Sequence, residues 1–336
     1  MVSDESLFMF SYSAVIRSVG KNSYLDSLLE SLEKQSLRPA EIVIVLPYGV
    51  PVWDTPSANL IRFVHSPKGM ITQRAVGIKE AKFRYLLLLD DDIVFRDLEA
   101  VKRLFSEKLR YNAVLALPYS PEAFPQGKKR IIYALFGMAV PTSKRYLGYT
   151  AGGGFYYPRN PSFEQPYEVE GGYGRCIAAD RDFLLKNYVL GDPDLEKVPY
   201  ALRDDGAFVL DVVCHGGKAV LVGNVPYDHL GGTRKLSPQR LQHSYEASVY
   251  NNYIFWRKYI KVRYRVRIVP IIAFGWHLIG IFVFALLSSL RHKSIQPILG
   301  AVQGFTKMVR EWVKGKQMTR KVCLIHIIHN LCLQRS

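Results

Sequence analysis

Two short runs constrain the fold of this chain more than any other feature. Residues 41–46, EIVIVL, and 85–89, YLLLL, are almost wholly apolar, show no polar alternation, and are far too short to cross a bilayer. Runs of this kind suit strands covered on both faces, as in a parallel sheet between helical layers. The segments around them fit the same scheme. Residues 11–19, SYSAVIRSV, read as a strand broken by 20–23, GKNS. Leu25, Leu28, Leu29 and Leu32 then recur at helical spacing, with Ser23 as the expected N-cap and Pro39 closing the region. The alternation continues with a strand at 60–64, a helix at 72–81, the strand at 85–89, a helix at 98–109 and a strand at 114–117. Strands alternating with helices through short connections predict an open, mostly parallel α/β sheet with right-handed crossovers. Ligands of such sheets bind beyond the carboxyl ends of the strands.

The 85–89 strand runs directly into Asp90, Asp91 and Asp92. Three adjacent carboxylates at a buried strand end repel one another and resist desolvation unless a cation neutralises them. Mg²⁺ or Mn²⁺ shared between a few carboxylates and a diphosphate meets that need. The plainer alternative is helix capping by Asp92 or Asp97. A second acidic pair, Asp204 and Asp205, opens a helix expected over 204–215 and stopped by Gly216 and Gly217. Capping and the helix dipole explain that pair as well as general-base catalysis does. His229, after a strand expected at 219–222, is either a metal ligand or a surface histidine. Between 118 and 174 periodicity fades into Gly, Pro and aromatic residues, the composition of a binding loop, a lid, or a long loop packed in the ordinary way.

Charge separates the chain into two parts. The formal net charge is +16, and residues 257–336 carry +14 of it, with 15 Lys or Arg against Glu311 alone. Within that region, residues 268–290 form a run of 23 without a formal charge, enough to cross a hydrocarbon core that needs about 20 helical residues. Arg263, Arg265 and Arg267 precede the run; Arg291, His292 and Lys293 follow it. A basic, aromatic-flanked apolar segment predicts membrane association, by spanning or re-entry, in preference to nucleic acid. A buried core helix is the alternative. Residues 245–264 mix aromatics with Lys and Arg and suit a membrane interface or packing on the catalytic part, with Trp256 as core. Residues 295–313 read as an interfacial helix. Cys323, His326, His329 and Cys332 recur every third residue, which fans them around a helix instead of converging them on zinc, so a membrane-facing or core helix is expected there. The scattered cysteines and the polar start MVSDES suit a reduced, cytoplasm-facing catalytic portion.

Taken in order, the stretches AVIRSVGKNSYLDSLLESLEKQSLRPAEIVIV, KGMITQRAVGIKEAKFRYLLLLDDDIVF, GRCIAADRDFLL, LRDDGAFVLDVVCHGGKAV and YDH resemble the family 2 glycosyltransferases of the GT-A fold, over roughly the first 255 residues. The resemblance implies a doubly wound mixed sheet with a Rossmann-like nucleotide-sugar-binding half at 1–117 and an acceptor half at 118–255. A membrane-associated C-terminal region would follow at 256–336. It implies an inverting hexosyl- or deoxyhexosyltransferase in polysaccharide biosynthesis, moving a sugar from a nucleotide-diphosphate donor to a glycan or lipid-linked acceptor. By the same resemblance Asp90 and Asp92 form the Asp-x-Asp element that binds Mn²⁺ or Mg²⁺ and the diphosphate, with Asp91 near the nucleoside and His229 completing the metal site. Arg17, Ser18 and Arg74 lie on the nucleotide or its phosphates, and Asp205, beside Asp204, is the general base. Two stretches depart from the family pattern. Strand 41–46 runs into VLPYGVP where the family carries an acidic turn that reads the nucleobase, and Asp204-Asp205 stands where the family has Glu-Asp. A nucleotidyltransferase is the competing enzyme class, though RSVGKNS is a faint triphosphate loop; a catalytically silent membrane scaffold is the competing non-enzyme.

Overall fold

The computed structural model describes residues 10–55, 59–120, 124–143, 147–159, 161–233 and 237–314. The expected helix carrying Cys323 to Cys332 lies outside them. The chain opens with β1 (Tyr12–Arg17), α1 (Ser23–Glu33), β2 (Glu41–Pro47), β3 (Ile61–Ser66), α2 (Met70–Glu80), β4 (Tyr85–Asp90), β5 (Ile93–Phe95), α3 (Ala100–Arg110) and β6 (Leu115–Pro118). It continues through α4 (Lys128–Leu135), β7 (Ala139–Thr142), β8 (Gly148–Tyr149), β9 (Phe155–Pro158), β10 (Tyr167–Glu168), β11 (Cys176–Asp180) and α5 (Arg181–Lys186). The remainder holds α6 (Asp204–Cys214), β12 (Ala219–Val222), β13 (Tyr227–His229), α7 (Pro238–Phe255), α8 (Ile268–His292) and α9 (Gln296–Val313).

By packing, the chain forms two units, 1–120 with 162–191 and 211–234, and 121–161 with 192–210 and 235–336. This division is discontinuous and differs from the expected boundary at 255/256. That boundary falls inside a continuous helical path, since α7 passes directly into helical turns at Trp256–Ile260 and Lys261–Arg263.

The first unit is a mixed eight-stranded sheet in the order β10-β12-β6-β11-β4-β1-β2-β3. Strands β3, β2, β1 and β4 run parallel, while β11 enters antiparallel between β4 and β6. The apolar runs of β1, β2 and β4 are buried on both faces, as their lack of alternation demands. From β1 the chain winds outward to β2 and β3 and then returns to place β4 on the other side of β1. The strand order therefore reverses between β1 and β4, the kind of crevice in which doubly wound sheets bind ligands. Gly77 lets α2 lie close on this sheet, because a Cβ there would come within 2.2 Å of Val15 Cγ1. Asn22, not the expected Ser23, caps α1, its side chain accepting from the backbone N–H groups of Tyr24 and Leu25.

The second unit contains order where periodicity predicts a loop. Residues 121–161 supply α4 and the three-stranded sheet β7-β9-β8. These strands are two to four residues long, too short to carry a readable period. Trp256 belongs to the core of this unit, its ring stacked on Phe274 at 4.5 Å and its Nε1 donating to the Ala151 carbonyl at 3.1 Å. Helix α9 docks on α7 through Gly300 and Gly304, where Cβ atoms would lie 2.1 Å from the Gln242 carbonyl oxygen and 2.4 Å from that of Glu246.

Candidate functional site

The register of the central sheet builds the site. Parallel pairing sets Arg17, the last residue of β1, opposite Asp90, the last residue of β4. Arg17 Nε donates to Asp90 Oδ1 at 2.5 Å and its guanidinium also reaches the Met70 carbonyl at 3.2 Å. One residue on in each chain segment, Ser18 Oγ donates to Asp91 Oδ2 at 2.5 Å, and Asn22 Nδ2 donates to the same oxygen at 3.1 Å. Gln73 fixes the strand ends from beneath, its amide donating to the carbonyls of Ser18 and Val45, both at 2.8 Å.

Asp92 has a different neighbour. Strand β13 pairs antiparallel with β5 so that His229 stands opposite Ile93. This places the His229 Nε2 atom 3.2 Å from Asp92 Oδ2. The turn after β13 closes over the same carboxylate, with the Leu230 N–H donating to the Asp92 carbonyl at 2.8 Å. A Cβ on Gly231 would sit 2.0 Å from Asp92 Oδ2, so any side chain there would push the carboxylate aside. Neither Asp92 nor Asp97 caps the next helix: the N-cap of α3 is Glu99, without a side-chain cap, and Asp97 Oδ1 accepts from the Glu99 N–H at 2.8 Å in the turn before it.

Three neighbouring carboxylates thus acquire distinct electrostatic settings. Burial is the largest influence on Asp91 and, with the charges of Asp92 and Asp90, raises its pKa above the ordinary carboxylate value against the hydrogen bonds from Ser18 and Asn22. Burial acts on Asp92 in the same sense, but the His229 hydrogen bond and the charges of His229 and Arg175 outweigh it and hold the group low. Arg175 immediately precedes β11, and its carbonyl accepts from the Asp90 N–H at 3.0 Å. Asn22, Gln73, Arg175 and Gly231 are contributors the sequence reading missed. Their roles depend on strand pairing and on a turn from a distant segment, and only the placing of Asn22 beside the strand end gave a local signal.

The expected metal set, Asp90, Asp92 and His229, is not gathered as one. Arg17 holds Asp90, and among the described residues no three His, Cys, Asp or Glu side chains converge closely enough to ligate a metal. Asp92 and His229 do form a suitable pair. Asp92 Oδ1 is buried without a hydrogen-bond partner, an oxygen left for a cation to satisfy. A hard divalent ion commonly takes one or two protein ligands and completes its shell with water and substrate phosphate oxygens.

Arg74 lies on α2 beside Gln73 but is only 2% exposed, against the Gly191 turn, where a glycine Cβ would approach its NH2 atom at 3.5 Å. Asp204 and Asp205 belong to the second unit, at the start of α6. Asp204 is buried and Asp205 partly exposed. Arg203, immediately before them, adopts a left-handed backbone at φ 72°, uncommon for a non-glycine residue, and its Nε donates to Asn252 Oδ1 at 2.8 Å. Gly206 admits the Tyr149 hydroxyl, which a Cβ would meet at 2.3 Å.

No family model and no curated protein matches this chain by sequence. Among solved structures, it is similar to the mannosyltransferase PcManGT from Pyrobaculum calidifontis in complex with GDP-Man and Mn²⁺. The TM-score is 0.53 at 11% identity, covering 88% of each chain. It also matches S. aureus TarS 1–349 with a TM-score of 0.49 at 12% identity, over 90% of this chain and 82% of that one. The likeness is one of fold: the chain has a mixed α/β architecture with a central mixed sheet of the kind seen in that GT-A-like mannosyltransferase.

Proposed function

We propose that this protein is an inverting glycosyltransferase that moves a sugar from a nucleotide-diphosphate donor to a glycan or lipid-linked acceptor hydroxyl. The observation that carries the reading is the cluster of Arg17, Ser18, Asn22, Asp90, Asp91, Asp92 and His229 at the point where strand order reverses, with Asp92 Oδ1 buried and unsatisfied. In this reading Asp92 and His229 would hold a divalent ion, Mn²⁺ or Mg²⁺, whose charge would offset that of the leaving diphosphate. Arg17 adds positive charge on the phosphate side and orients Asp90 through its 2.5 Å contact. Ser18 and Asn22 fix Asp91 at the mouth of the nucleoside pocket. Asp205 is the better placed of its pair to meet an acceptor, since Asp204 is 3% exposed. It takes the proton from the acceptor hydroxyl as that oxygen forms its bond to the anomeric carbon and the bond to the diphosphate oxygen breaks. The mannosyltransferase of similar fold, described with GDP-Man and Mn²⁺, supports a nucleotide-sugar donor and a divalent metal for this chain.

Calorimetric titration with a panel of nucleoside diphosphates, with and without Mn²⁺, tests the reading against Asp92→Ala. Metal-dependent binding of one nucleotide, lost in the variant, is expected. Binding of no nucleotide under either condition would remove the donor site and favour a silent scaffold. Preference for a nucleoside triphosphate with release of pyrophosphate would indicate a nucleotidyltransferase.

A further inference from the structure

Helix α8 is the described helix long and apolar enough to cross a membrane. Its surroundings within the second unit argue for another placement. Pro270, Phe274, His277, Gly280, Ile281 and Ala285 form one buried stripe, and this stripe is docked along most of its length. Near its start, Phe274 stacks on Trp256, and a Cβ on Gly152 would meet the Ala273 carbonyl oxygen at 2.6 Å. In its middle, Trp276 Nε1 donates to the Leu135 carbonyl at 2.7 Å, and Gly280 lets Phe136 approach so closely that a Cβ would lie 2.5 Å from that residue's own. Further on, the Tyr245 hydroxyl donates to the Phe284 carbonyl at 3.0 Å, and Tyr133 packs on the Phe284 ring at 4.5 Å. From 270 to 285 is about 22 Å of helix at 1.5 Å per residue. Over that length one side is occupied by segments, 133–138 and 245–256 among them, that contain no spanning helix of their own.

The opposite side is apolar and exposed: Ile268, Ile272, Ile279, Leu286 and Leu290 point away from the protein. Helix α9 continues this surface with Leu299, Val302 and Phe305, and α4 adds Ile131 and Leu135. Between α8 and α9 runs an apolar groove of about 510 Å³ lined by Gly275, Ile279, Phe282, Leu286 and Phe305, which suits an acyl chain. Arg265 and Arg267 are exposed at one end of α8, and Arg291, His292 and Lys293 at the other. A spanning helix would put these two cationic groups on opposite faces of the membrane. A helix lying flat puts both in one anionic headgroup layer, which attracts basic side chains. A second copy of the chain is a poorer occupant, because it would bring the same cationic ends against themselves.

We propose that α8 lies lengthwise in one leaflet of an anionic bilayer, its outer face sunk among acyl chains with α4 and α9 beside it, and does not cross the membrane. The attachment is monotopic, and the charge at both ends of the apolar run is its signature. It goes beyond the transferase reading and stands whether or not the protein transfers sugar.

Two measurements test this. Arg267→Cys and Ser294→Cys proteins, expressed in bacterial cells, are treated with a membrane-impermeant polyethylene-glycol maleimide in sealed spheroplasts and in inverted vesicles, reading one gel shift beyond the parent's. Labelling of both positions from the same side is expected; labelling from opposite sides would show a crossing helix and overturn the proposal. Full-length protein is also floated with vesicles rich in phosphatidylglycerol or made of phosphatidylcholine alone. Flotation should require the anionic lipid, and Ile272→Asp combined with Ile279→Asp should weaken it at least tenfold with circular dichroism unchanged. Flotation equal to the parent's in that variant, or a stable dimer that ignores both vesicles, would equally overturn it.

Discussion

Asp90, Asp91 and Asp92 are neighbours in sequence with three different sets of partners in space. That three carboxylates after a buried strand need compensation is legible from the residues alone. How the compensation is divided is not legible, because Arg17 reaches Asp90 through β1–β4 register and His229 reaches Asp92 through a strand more than a hundred residues away. This division sets expectations for substitution. Asp92→Asn should reduce Mn²⁺-dependent affinity for the nucleoside diphosphate by about tenfold or more, because the orphaned carboxylate oxygen loses its charge. Isothermal titration across metal concentrations reads this directly, and unchanged metal dependence would move the ion to other residues. Asp205→Asn should leave nucleotide affinity within about twofold while lowering turnover by about 10² to 10⁴, the usual worth of a general base. Single-turnover transfer assays separate the two effects. A variant as active as the parent would return Asp205 to a helix-terminus role.

At the scale of elements, apolar periodicity finds the β-α-β units and fails at 121–161, where two- to four-residue strands leave no period and pairing partners supply the order. Packing between elements is similarly hidden, because Gly77 reads as a helix weakness until the sheet beneath it is known. Gly77→Ala should destabilise the protein by about 1–3 kcal/mol through overpacking against Val15 and Val45, whose Cγ atoms a Cβ would meet at 2.2 and 3.1 Å. Urea unfolding measures this. Helix α3 carries a second hidden device: Lys108 is buried, its Nζ 5.0 Å from the centre of the Tyr85 ring. Burial, with the charge of Arg84, lowers its pKa from 10.5 to about 8 despite the opposing charge of Asp180. Below pH 8 the folded and unfolded chains both hold this proton and the burial cost is fully present. Between about 8 and 10.5 the unfolded chain holds the proton the folded chain has released, so stability rises with pH by up to about 3 kcal/mol. Lys108→Met should be the more stable protein at pH 7 and should lack the rise. Parallel urea midpoints for the two proteins from pH 7 to 10 would contradict this.

For the whole molecule, charge and hydropathy divide the chain near 255, and packing divides it elsewhere. The sequence reading takes the basic, apolar region as an appendage because its composition differs so sharply from what precedes it. Composition does not report which surfaces are complementary, and the small-residue face of α9, Gly300, Ala301 and Gly304, is docked on α7 so closely that the glycine positions have no room for a methyl group. Lys307 supports the same contact, its Nζ 2.5 Å from the carboxylate of Glu246, which is buried in the face of α7. Trp256, just past the expected boundary, is also a core residue, and the largely covered side chain of Lys258 lies 2.8 Å from Asp192. A chain ending at residue 255 would therefore strip α7 of its covering helix, leave Glu246 and Asp192 without their cations, and remove the aromatic stack over Ala151. Loss of one partner from a buried ion pair alone costs about 3–5 kcal/mol, a large part of a domain's total stability. The truncated protein 1–255 should lack a cooperative thermal transition and expose apolar surface to a hydrophobic dye, whereas full-length protein bearing only the exposed-face substitutions on α8 should melt like the parent. A sharp, parent-like melt for 1–255 would establish that α8 and α9 are dispensable to the second unit and restore the division that composition suggests.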